Sequence, residues 1–307
     1  MVVTKYLDPK NDIAFKRIFG TEKNKDILIC LLNEVLRNQL DNKILDVSFL
    51  KPHQDPDISS KKQSIVDVLC KDTDGHYYII EMQVANSEGF QKRAQYYAYK
   101  AYVSQMDTGG RYEDLKKVIF LAFTDFVLFP NKTEYKSEHI TLDRETYEHD
   151  LSDMSFTFVD LVKFGISVNK PVASLSLEEK FYYFLHYAPE ASSSDRAALI
   201  SSSSILSKAY RELERFNWTE EELLTYESEE KRIKDNEAIL TYARREGIKE
   251  GIQKGMKKGI RKGIQKGIKE GNYLTARKML SLGIAVRTIK EVTGLTVKQI
   301  EEIQRKL

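Results

Sequence analysis

Cysteine and histidine are scarce in this chain. Its 307 residues include two cysteines and five histidines. Cys30 and Cys70 lie in apolar stretches and form no Cys-x-x-Cys pair, which indicates buried thiols rather than a redox pair or zinc ligands. The histidines are scattered along the chain and give no support to a zinc site. They are His53, His76, His139, His149 and His186.

Long hydrophobic runs are also absent. No apolar stretch approaches the length of a membrane-spanning helix, and residues 1–10 lack the apolar segment of a signal peptide. The hydrophobic content of 41% is still enough to bury a core. The length allows one substantial core and a second, smaller unit. We therefore expect a cytoplasmic protein without a membrane partner.

The formal net charge is close to zero but unevenly distributed. The whole chain carries +2, whereas residues 244–270 contain ten basic and three acidic residues, a local charge of +7. The remaining chain therefore carries −5. A basic surface for a nucleic-acid partner is expected mainly in the carboxyl-terminal tail.

Two carboxylates interrupt strand patterns that otherwise resemble protein core. Asp67 lies within the apolar residues 64–69, and Glu81 lies within residues 76–84. A three-residue turn closed by Gly75 in the left-handed region would place Asp67 opposite Glu81, with Gln83 further along the same face. A two-residue turn would instead turn Glu81 away. The glycine favours the first register.

Two facing carboxylates are suited to binding a hard divalent cation. Mg²⁺ prefers oxygen ligands, and such an ion can activate water and neutralise charge on a phosphate. The alternative is that Asp67, Glu81 and Gln83 simply form the solvated face of a hairpin. Acid pairs on strands are common enough to keep this alternative open.

The order of predicted elements indicates an α/β fold. Helical patterns cover residues 12–19 and 26–37, and strands are expected near residues 46–50 and in the two acid-bearing segments. A tyrosine-rich helix at residues 88–106 precedes a strand at 117–124 that is apolar on both faces. The order is αβββαβ. Further strands are expected at residues 137–142 and 155–161.

Several of these segments resemble a known nuclease family. Asp67 followed by Glu81, Met82 and Gln83 resembles the PD-(D/E)XK signature, with glutamine in the usual place of lysine. The combined pattern resembles the Rpn recombination-promoting nucleases, a family also described as transposases. The segments that carry it are residues 11–20, Asp67 with Glu81, Met82 and Gln83, Arg93 with Tyr96 and Tyr97, and residues 158–164.

The resemblance implies a restriction-endonuclease-like fold and a Mg²⁺-dependent DNA endonuclease. It implies that the side chains of Asp67 and Glu81 and the backbone carbonyl of Met82 bind the metal. Asp12 is a candidate outer carboxylate, and Lys16 is a candidate phosphate contact, as is Arg93. The alternative for Asp12 is a helix N-terminal acid favoured by the helix dipole. The alternative for Lys16 and Arg93 is that they are ordinary solvated charges.

Gln83 departs from the usual signature. A lysine there stabilises developing charge and orients water, whereas an amide orients water without supplying charge. Two alternatives stay open, weaker catalysis or a charge supplied by Lys16, Lys62 or Lys100. The alternatives to an enzyme are a non-cleaving DNA-binding or oligomerising protein on a nuclease scaffold, or a tail-driven interaction module.

Three further regions follow the predicted core of residues 1–170. Residues 171–245 are expected to be helical, and they either pack on the core or mediate dimerisation. We expect the protein to form a homo-oligomer, namely a dimer. Residues 246–271 contain glycine at every fourth position from Gly247 to Gly271. Because each interior glycine costs about 1 kcal/mol in a helix, we expect a partly helical basic linker. The alternatives are a phosphate-tracking arm or close helix packing in an oligomer.

The last region, residues 272–307, shows short helical patterns separated by Gly283 and Gly294. Residues 289–296 resemble the turn of a helix-turn-helix, with Thr296 as the expected N-cap. The second helix would present DNA-binding side chains. The alternative is a small helical hairpin for self-association, because acidic residues share that helix. The candidate DNA contacts are Lys298, Gln299 and Arg305.

Overall fold

A computed structural model describes residues 5–51, 53–54, 64–106, 109–167 and 170–307. Two compact units make up the chain, Met1–Ile233 and Lys234–Leu307. Most of the helical region predicted at 171–245 therefore belongs with the core. The boundaries predicted after residues 170, 245 and 271 stay predictions. Lys62 lies outside the described residues.

In the described part of the first unit there are eight strands, with helices before, between and after them. The strands are β1 Val47–Phe49, β2 His53–Gln54, β3 Ser64–Ile65, β4 Val68–Asp72, β5 Tyr77–Gln83, β6 Val118–Thr124, β7 Lys136–Ile140 and β8 Met154–Asp160. The helices are α1 Asp12–Phe19, α2 Lys25–Val35, α3 Phe90–Val103, α4 Leu161–Ser167, α5 Leu177–Tyr187, α6 Ser193–Ser202 and α7 Ser204–Leu213. Short 3₁₀ turns occur at Glu22–Asn24, Tyr112–Asp114, Val172–Ser174 and Arg215–Asn217.

Six strands form one open sheet in the order β1-β4-β5-β6-β8-β7. Strands β5, β6 and β8 are parallel, and the outer pairs are antiparallel. Every residue of β6 is buried, as the run of apolar residues predicts for a central strand covered on both faces. The α/β fold class and the αβββαβ order are confirmed.

Helices cover both faces of this sheet. On one face, Ile80 and Met82 pack with α1, α2, α5 and α7 in the larger core. On the other face, Ile79 and Phe120 pack against the buried side of α3. That side of α3 contains the small residues Ala94, Ala98 and Ala101, which bring the helix close to the sheet. Odd-numbered residues of β5 therefore face α3, and even-numbered ones face the larger core.

The structure differs from the prediction around Asp67. Residues 64–69 were expected to form one strand, but β3 ends at Ile65 and β4 begins at Val68. Val66 is fully buried, and Asp67 lies at the bend between the two strands. The short strand β3 pairs with β2 in a separate two-stranded sheet. The bend places Asp67 beside the end of β5 rather than within the ladder.

The glycine repeat also differs from the prediction. Helix α8 runs from Glu220 to Ser281 without interruption and includes every repeat glycine. The prediction that this segment is only partly helical is therefore wrong, and its role as a linker stays a prediction. Ion pairs one turn apart occur along it, including Lys254 with Glu250 and Lys266 with Glu270. Such pairs offset part of the cost of glycine in a helix.

The second unit ends in a small helical core. Helices α9 Val286–Thr293 and α10 Val297–Gln304 pack with the end of α8 around Ala276, Ile289, Ile300 and Ile303. Gly294 ends α9 in the left-handed conformation with φ 66°, where glycine has no steric penalty. Thr296 caps α10, as predicted. Within the described residues, no helix combines the length and the apolar composition needed to cross a membrane.

Candidate active site

The turn between β4 and β5 fixes the register of the two acid-bearing segments. The carbonyl of Asp72 accepts the amide of Gly75 at 3.2 Å, and the amide of Asp72 donates to the carbonyl of His76 at 3.0 Å. Gly75 has φ +89°, a conformation that a side chain would strain. The loop therefore contains three residues, Thr73, Asp74 and Gly75, and the predicted register is confirmed.

In this register Asp67 lies opposite Glu81. Val68 pairs with Ile80 in the ladder, and Asp67 precedes Val68 just as Glu81 follows Ile80. The Oδ2 atom of Asp67 accepts the backbone amide of Met82 at 2.8 Å. Glu81 is only 3% exposed. The bend at Asp67 thus brings two acidic side chains together at the end of the hairpin.

The two carboxylate oxygens of Glu81 differ in their hydrogen bonding. Gln83 donates from Nε2 to Oε2 of Glu81 at 2.8 Å, and Arg93 donates to Oε1 of Gln83 at 2.6 Å. The other carboxylate oxygen of Glu81, Oε1, is buried and has no hydrogen-bond partner among the described residues. A buried carboxylate oxygen without a donor is costly, so this atom identifies a place for a cation or a proton.

The electrostatics of the pair favour the same conclusion. Burial, followed by the nearby Asp67, raises the pKa of Glu81 well above its usual range, although Arg93 opposes the shift. Burial raises the pKa of Asp67 to about 7, against the effect of the Met82 amide, and the nearby Asp12 adds to the increase. Without a cation, burial and mutual repulsion therefore favour the protonated forms of both groups to a higher pH than for ordinary carboxyl groups.

Helix α1 brings a lysine and a third acid to the pair. Lys16 lies 2.8 Å from Oδ1 of Asp12 and 3.6 Å from Oδ1 of Asp67. Burial disfavours the charged form of Lys16, but the hydrogen bond that it donates to Asp12 and the negative charges of Asp67, Asp12 and Glu81 raise its pKa above the usual value. Lys16 thus stays cationic, yet it reaches only the Asp67 side of the pair.

The first turn of α3 completes the other side. The Arg93 guanidinium that contacts Gln83 also lies 5.1 Å from the ring of Phe90. Tyr97 lies one helical turn further along α3. Burial raises its pKa, Arg93 opposes this increase, and the charges of Glu81 and Asp67 add to it. The Tyr97 side chain therefore lies near both acids. We assigned it no role from the sequence, although its spacing of four from Arg93 places both on one helical edge.

The donor set fits a hard divalent cation. Two facing carboxylates, one with an unpartnered buried oxygen, offer oxygen ligands without thiol or imidazole groups, which is the chemistry that Mg²⁺ prefers. Lys16 leaves part of the negative charge uncompensated. The backbone of Met82 adjoins Asp67 through the amide hydrogen bond, which brings that peptide to the same site.

A second acidic cluster lies at the opposite end of the hairpin. Single ligand atoms of Asp72, Asp74 and His76 come within 4.8 Å of one another. The carboxylate of Asp72 already accepts the amides of Asp74 and His76, each at 2.9 Å, and the hydroxyl of Tyr78 at 2.8 Å. These bonds account for the cluster as the anchor of the turn.

The predicted DNA-contacting residues of the tail lie in the second unit. Lys298 and Arg305 are exposed. The carbonyl oxygen of the Gln299 side chain accepts the amide of Thr296 at 2.9 Å, in a reciprocal cap of α10. This bond gives Gln299 a structural role in the turn that we did not predict, although the Thr-x-x-Gln spacing of a capping box could have indicated it.

A comparison with known families agrees with this arrangement. The family model described as PD-(D/E)XK nuclease family transposase matches residues 9–243. No curated protein and no solved structure matches the chain. The matched segment includes the sheet, both acids and the helices α1 and α3. Because the match covers well over half of the sequence, the chain belongs to the PD-(D/E)XK nuclease family transposases.

Proposed function

We propose that this protein is a Mg²⁺-dependent DNA endonuclease that hydrolyses phosphodiester bonds. The observation that supports it most directly is the buried Oε1 atom of Glu81, which lacks a partner among the described residues and lies on the carboxylate that faces Asp67. In a purely structural hairpin, a buried carboxylate oxygen without a hydrogen-bond donor only costs stability. In a nuclease site, a metal ion compensates both carboxylates.

In this proposal Mg²⁺ is held by the side chains of Asp67 and Glu81 and by the backbone carbonyl of Met82. When bound, the ion supplies an activated water molecule and neutralises charge on the phosphate. The pKa increases at both acids mean that protons compete with the metal. Metal binding is therefore expected to strengthen as the pH rises.

The remaining residues position these groups and supply charge. Lys16 places its own positive charge beside Asp67 and is suited to contacting the scissile phosphate. Asp12 orients Lys16 and serves as an outer carboxylate. Gln83 fixes Glu81 through its amide nitrogen, and its remaining N–H is available to orient water. Arg93, held by Gln83, is the second candidate phosphate contact.

The wider role proposed here is cleavage of cellular DNA during recombination or transposition. The tail would add affinity through the +7 segment and through Lys298, Gln299 and Arg305. We place the protein in the cytoplasm and propose a homodimer as its working form. A dimer would allow two sites to act on the two strands of one duplex.

A second candidate function is non-cleaving DNA binding on the same scaffold. It is favoured by one observation, the neutral Gln83 at the usual lysine position of the signature. Lys16 offsets this observation because it brings a positive charge to within 3.6 Å of Asp67. The two candidates differ in whether purified protein breaks DNA or only retains it.

Plasmid nicking tests the proposal. Full-length protein is incubated with supercoiled DNA and Mg²⁺, beside Asp67→Ala and the matched control Asp74→Ala, which alters the exposed member of the other acidic cluster. We expect wild type and Asp74→Ala to nick the plasmid, and Asp67→Ala or wild type with a chelator to leave it intact. Equal nicking by wild type and Asp67→Ala would refute the site. Retention of uncut plasmid by wild type would support the second candidate.

A further inference from the structure

A groove runs along the side of α3 that faces away from Arg93 and Tyr97. It encloses a cavity of about 360 Å³ between α3 and strands β7 and β8. We call it the α3–β8 groove and define it by Gln91, Gln95, Tyr99, Phe129, His139 and Phe158. The proposed catalytic residues do not line it.

The floor of the groove and the acidic pair share one rung of the sheet. Glu81 pairs with Ala122, and Ala122 pairs with Phe158. Ala122 and Phe158 both pack in the core beneath α3, on the face towards which Glu81 points. Neighbouring strands lie about 4.8 Å apart, so Phe158 is about 10 Å from Glu81 across the sheet. The floor of the groove and the acids therefore lie on one face of the sheet, two strands apart.

The first turn of α3 connects the two places. Arg93 contacts Gln83 on the catalytic side and stacks near Phe90. The ring of Phe90 in turn lies 6.2 Å from the ring of Phe158, edge to face. Residues Gln91 and Gln95 are one helical turn apart on the opposite edge. The groove and the proposed site thus lie on opposite edges of the first turn of α3, and the packed rings of Phe90 and Phe158 join the two edges.

The lining has the chemistry of a base-binding site. Tyr99 is half exposed and offers a ring face, while Phe129 and Phe158 pack edge to face at 5.4 Å. Gln91 and Gln95 supply neutral amide groups that can donate and accept. Burial, and then the nearby Lys132, lowers the pKa of His139, so the ring is neutral at pH 7. No aspartate, glutamate, lysine or arginine is among the residues that line this cavity in the described structure.

Charges at the rim separate base from backbone. Lys132 lies 5.2 Å from the ring of Phe129 and is exposed, so it can meet a phosphate at the groove entrance. An adjoining cavity shares Tyr99 with the groove, and Asp150 and Asp153 are among the residues that line it. These acids repel phosphate. The uncharged lining is suited to a flat, uncharged heterocycle, whereas the acids of the adjoining cavity disfavour a sugar-phosphate chain there.

We propose that the α3–β8 groove holds an unpaired nucleobase of the DNA strand that enters the acidic site. The inference rests on the proposed nuclease function and narrows its substrate. A base in an intact duplex is stacked and paired, and removing it costs a few kcal/mol. The preferred substrates are therefore DNAs with unpaired nucleotides near the scissile bond, such as single strands, flaps and bubbles.

Equilibrium binding of two labelled strands, in the presence of a chelator to prevent cleavage, tests the inference. One is a short mixed-sequence single strand, and the other has the same length and charge but abasic sugars at its central positions. Base stacking is worth about 1–3 kcal/mol per base, so full-length wild type should bind the base-bearing strand about tenfold more tightly. Tyr99→Ala should reduce that preference to about twofold or less, and Tyr99→Phe should keep it.

Tyr112→Ala is the matched control, because Tyr112 is 85% exposed and lies outside the groove. It should keep the full preference. Equal affinity of wild type for both strands, or equal preference in Tyr99→Ala and Tyr112→Ala, would overturn the inference. Plasmid nicking in the same preparations separates the two ideas. Nicking without base preference removes the groove alone, and base preference without nicking removes the nuclease alone.

Discussion

Asp67 lies opposite Glu81 across the β4–β5 hairpin, and its carboxylate accepts the amide of the next residue, Met82, at 2.8 Å. One side chain thus faces its acidic partner and also fixes the backbone beside it. Both acids have raised pKa values because they are buried close together. The arrangement is unfavourable for the metal-free protein, and the proposed metal ion would offset that cost.

The first prediction concerns the two acids. Asp67→Asn and Glu81→Gln should each reduce Mg²⁺-dependent cleavage by at least about a hundredfold, because the bound ion contributes several kcal/mol to the transition state. Single-turnover cleavage of a labelled duplex measures the effect. Asp74→Asn should cleave at the wild-type rate. A large loss in Asp74→Asn together with normal cleavage by Asp67→Asn would move the site to the hairpin turn.

The second prediction follows from the pKa of Asp67, which is about 7 in the folded protein. A carboxyl group with a raised folded pKa stabilises the protein below its unfolded pKa, about 4, and this contribution is lost as the pH rises through 7. Metal-free Asp67→Asn should therefore match wild type near pH 4 and be more stable at pH 8. The gain is on the order of a few kcal/mol, since one pKa unit is worth about 1.4 kcal/mol.

Thermal unfolding at a series of pH values measures this difference. Adding Mg²⁺ at pH 8 should raise the Tm of wild type and leave that of Asp67→Asn nearly unchanged, because ligand binding stabilises only a protein that has the site. A constant Tm difference between the two proteins from pH 4 to pH 8 would contradict the assigned pKa.

The hairpin shows why part of this site was predictable from sequence. Gly75 determines the turn length, the turn determines the register, and the register determines that Asp67 faces Glu81. Each step is local. The approach of Lys16 to Asp67 depends on how α1 packs against the sheet, so the residues suggested the lysine as a candidate but not its position.

The errors have physical causes as well. The apolar pattern of residues 64–69 continues through Asp67, so periodicity alone does not reveal the bend that turns this side chain towards the Met82 amide. In the tail, the low helix propensity of glycine predicted interruptions. The ion pairs of α8, such as Lys254 with Glu250, act between side chains four residues apart and were not weighed against that cost.

The third prediction concerns Gln83, which links Glu81 to Arg93. If its amide orients the attacking water, Gln83→Ala should lower the cleavage rate while Mg²⁺ affinity stays close to wild type, because the charged ligands remain. Gln83→Lys should preserve or raise the rate, since a cation there stabilises the phosphate as charge develops. Rates at saturating Mg²⁺, with affinity measured separately, distinguish these effects. Wild-type cleavage by Gln83→Ala would make the residue structural.

The fourth prediction concerns the basic segment. Truncation after Tyr242 removes the +7 charge of residues 244–270 and the terminal helices. If this region binds DNA, the truncated protein should bind more weakly and its affinity should depend less steeply on salt, because fewer counterions are released. Titrations of a labelled duplex at several salt concentrations give the slope. An unchanged slope would assign the tail to linkage or oligomerisation.

The last prediction separates two roles for the glycine repeat, a stretch of isolated helix and a surface on which the helices of two copies pack closely. A Cβ atom added at Gly255 or Gly259 meets nothing within 4 Å in the described structure. In an isolated helix, Gly255→Ala with Gly259→Ala should therefore add about 1 kcal/mol per site to helix stability, seen as a higher melting temperature of the helical circular dichroism signal.

If the glycines instead allow close helix packing between two copies, the added methyl groups would separate the helices. Sedimentation would then show a loss of dimer in this variant, whereas Gln253→Ala with Gln265→Ala, which leaves every glycine in place, should retain it. An unchanged oligomeric state together with higher helix stability would exclude glycine-mediated packing.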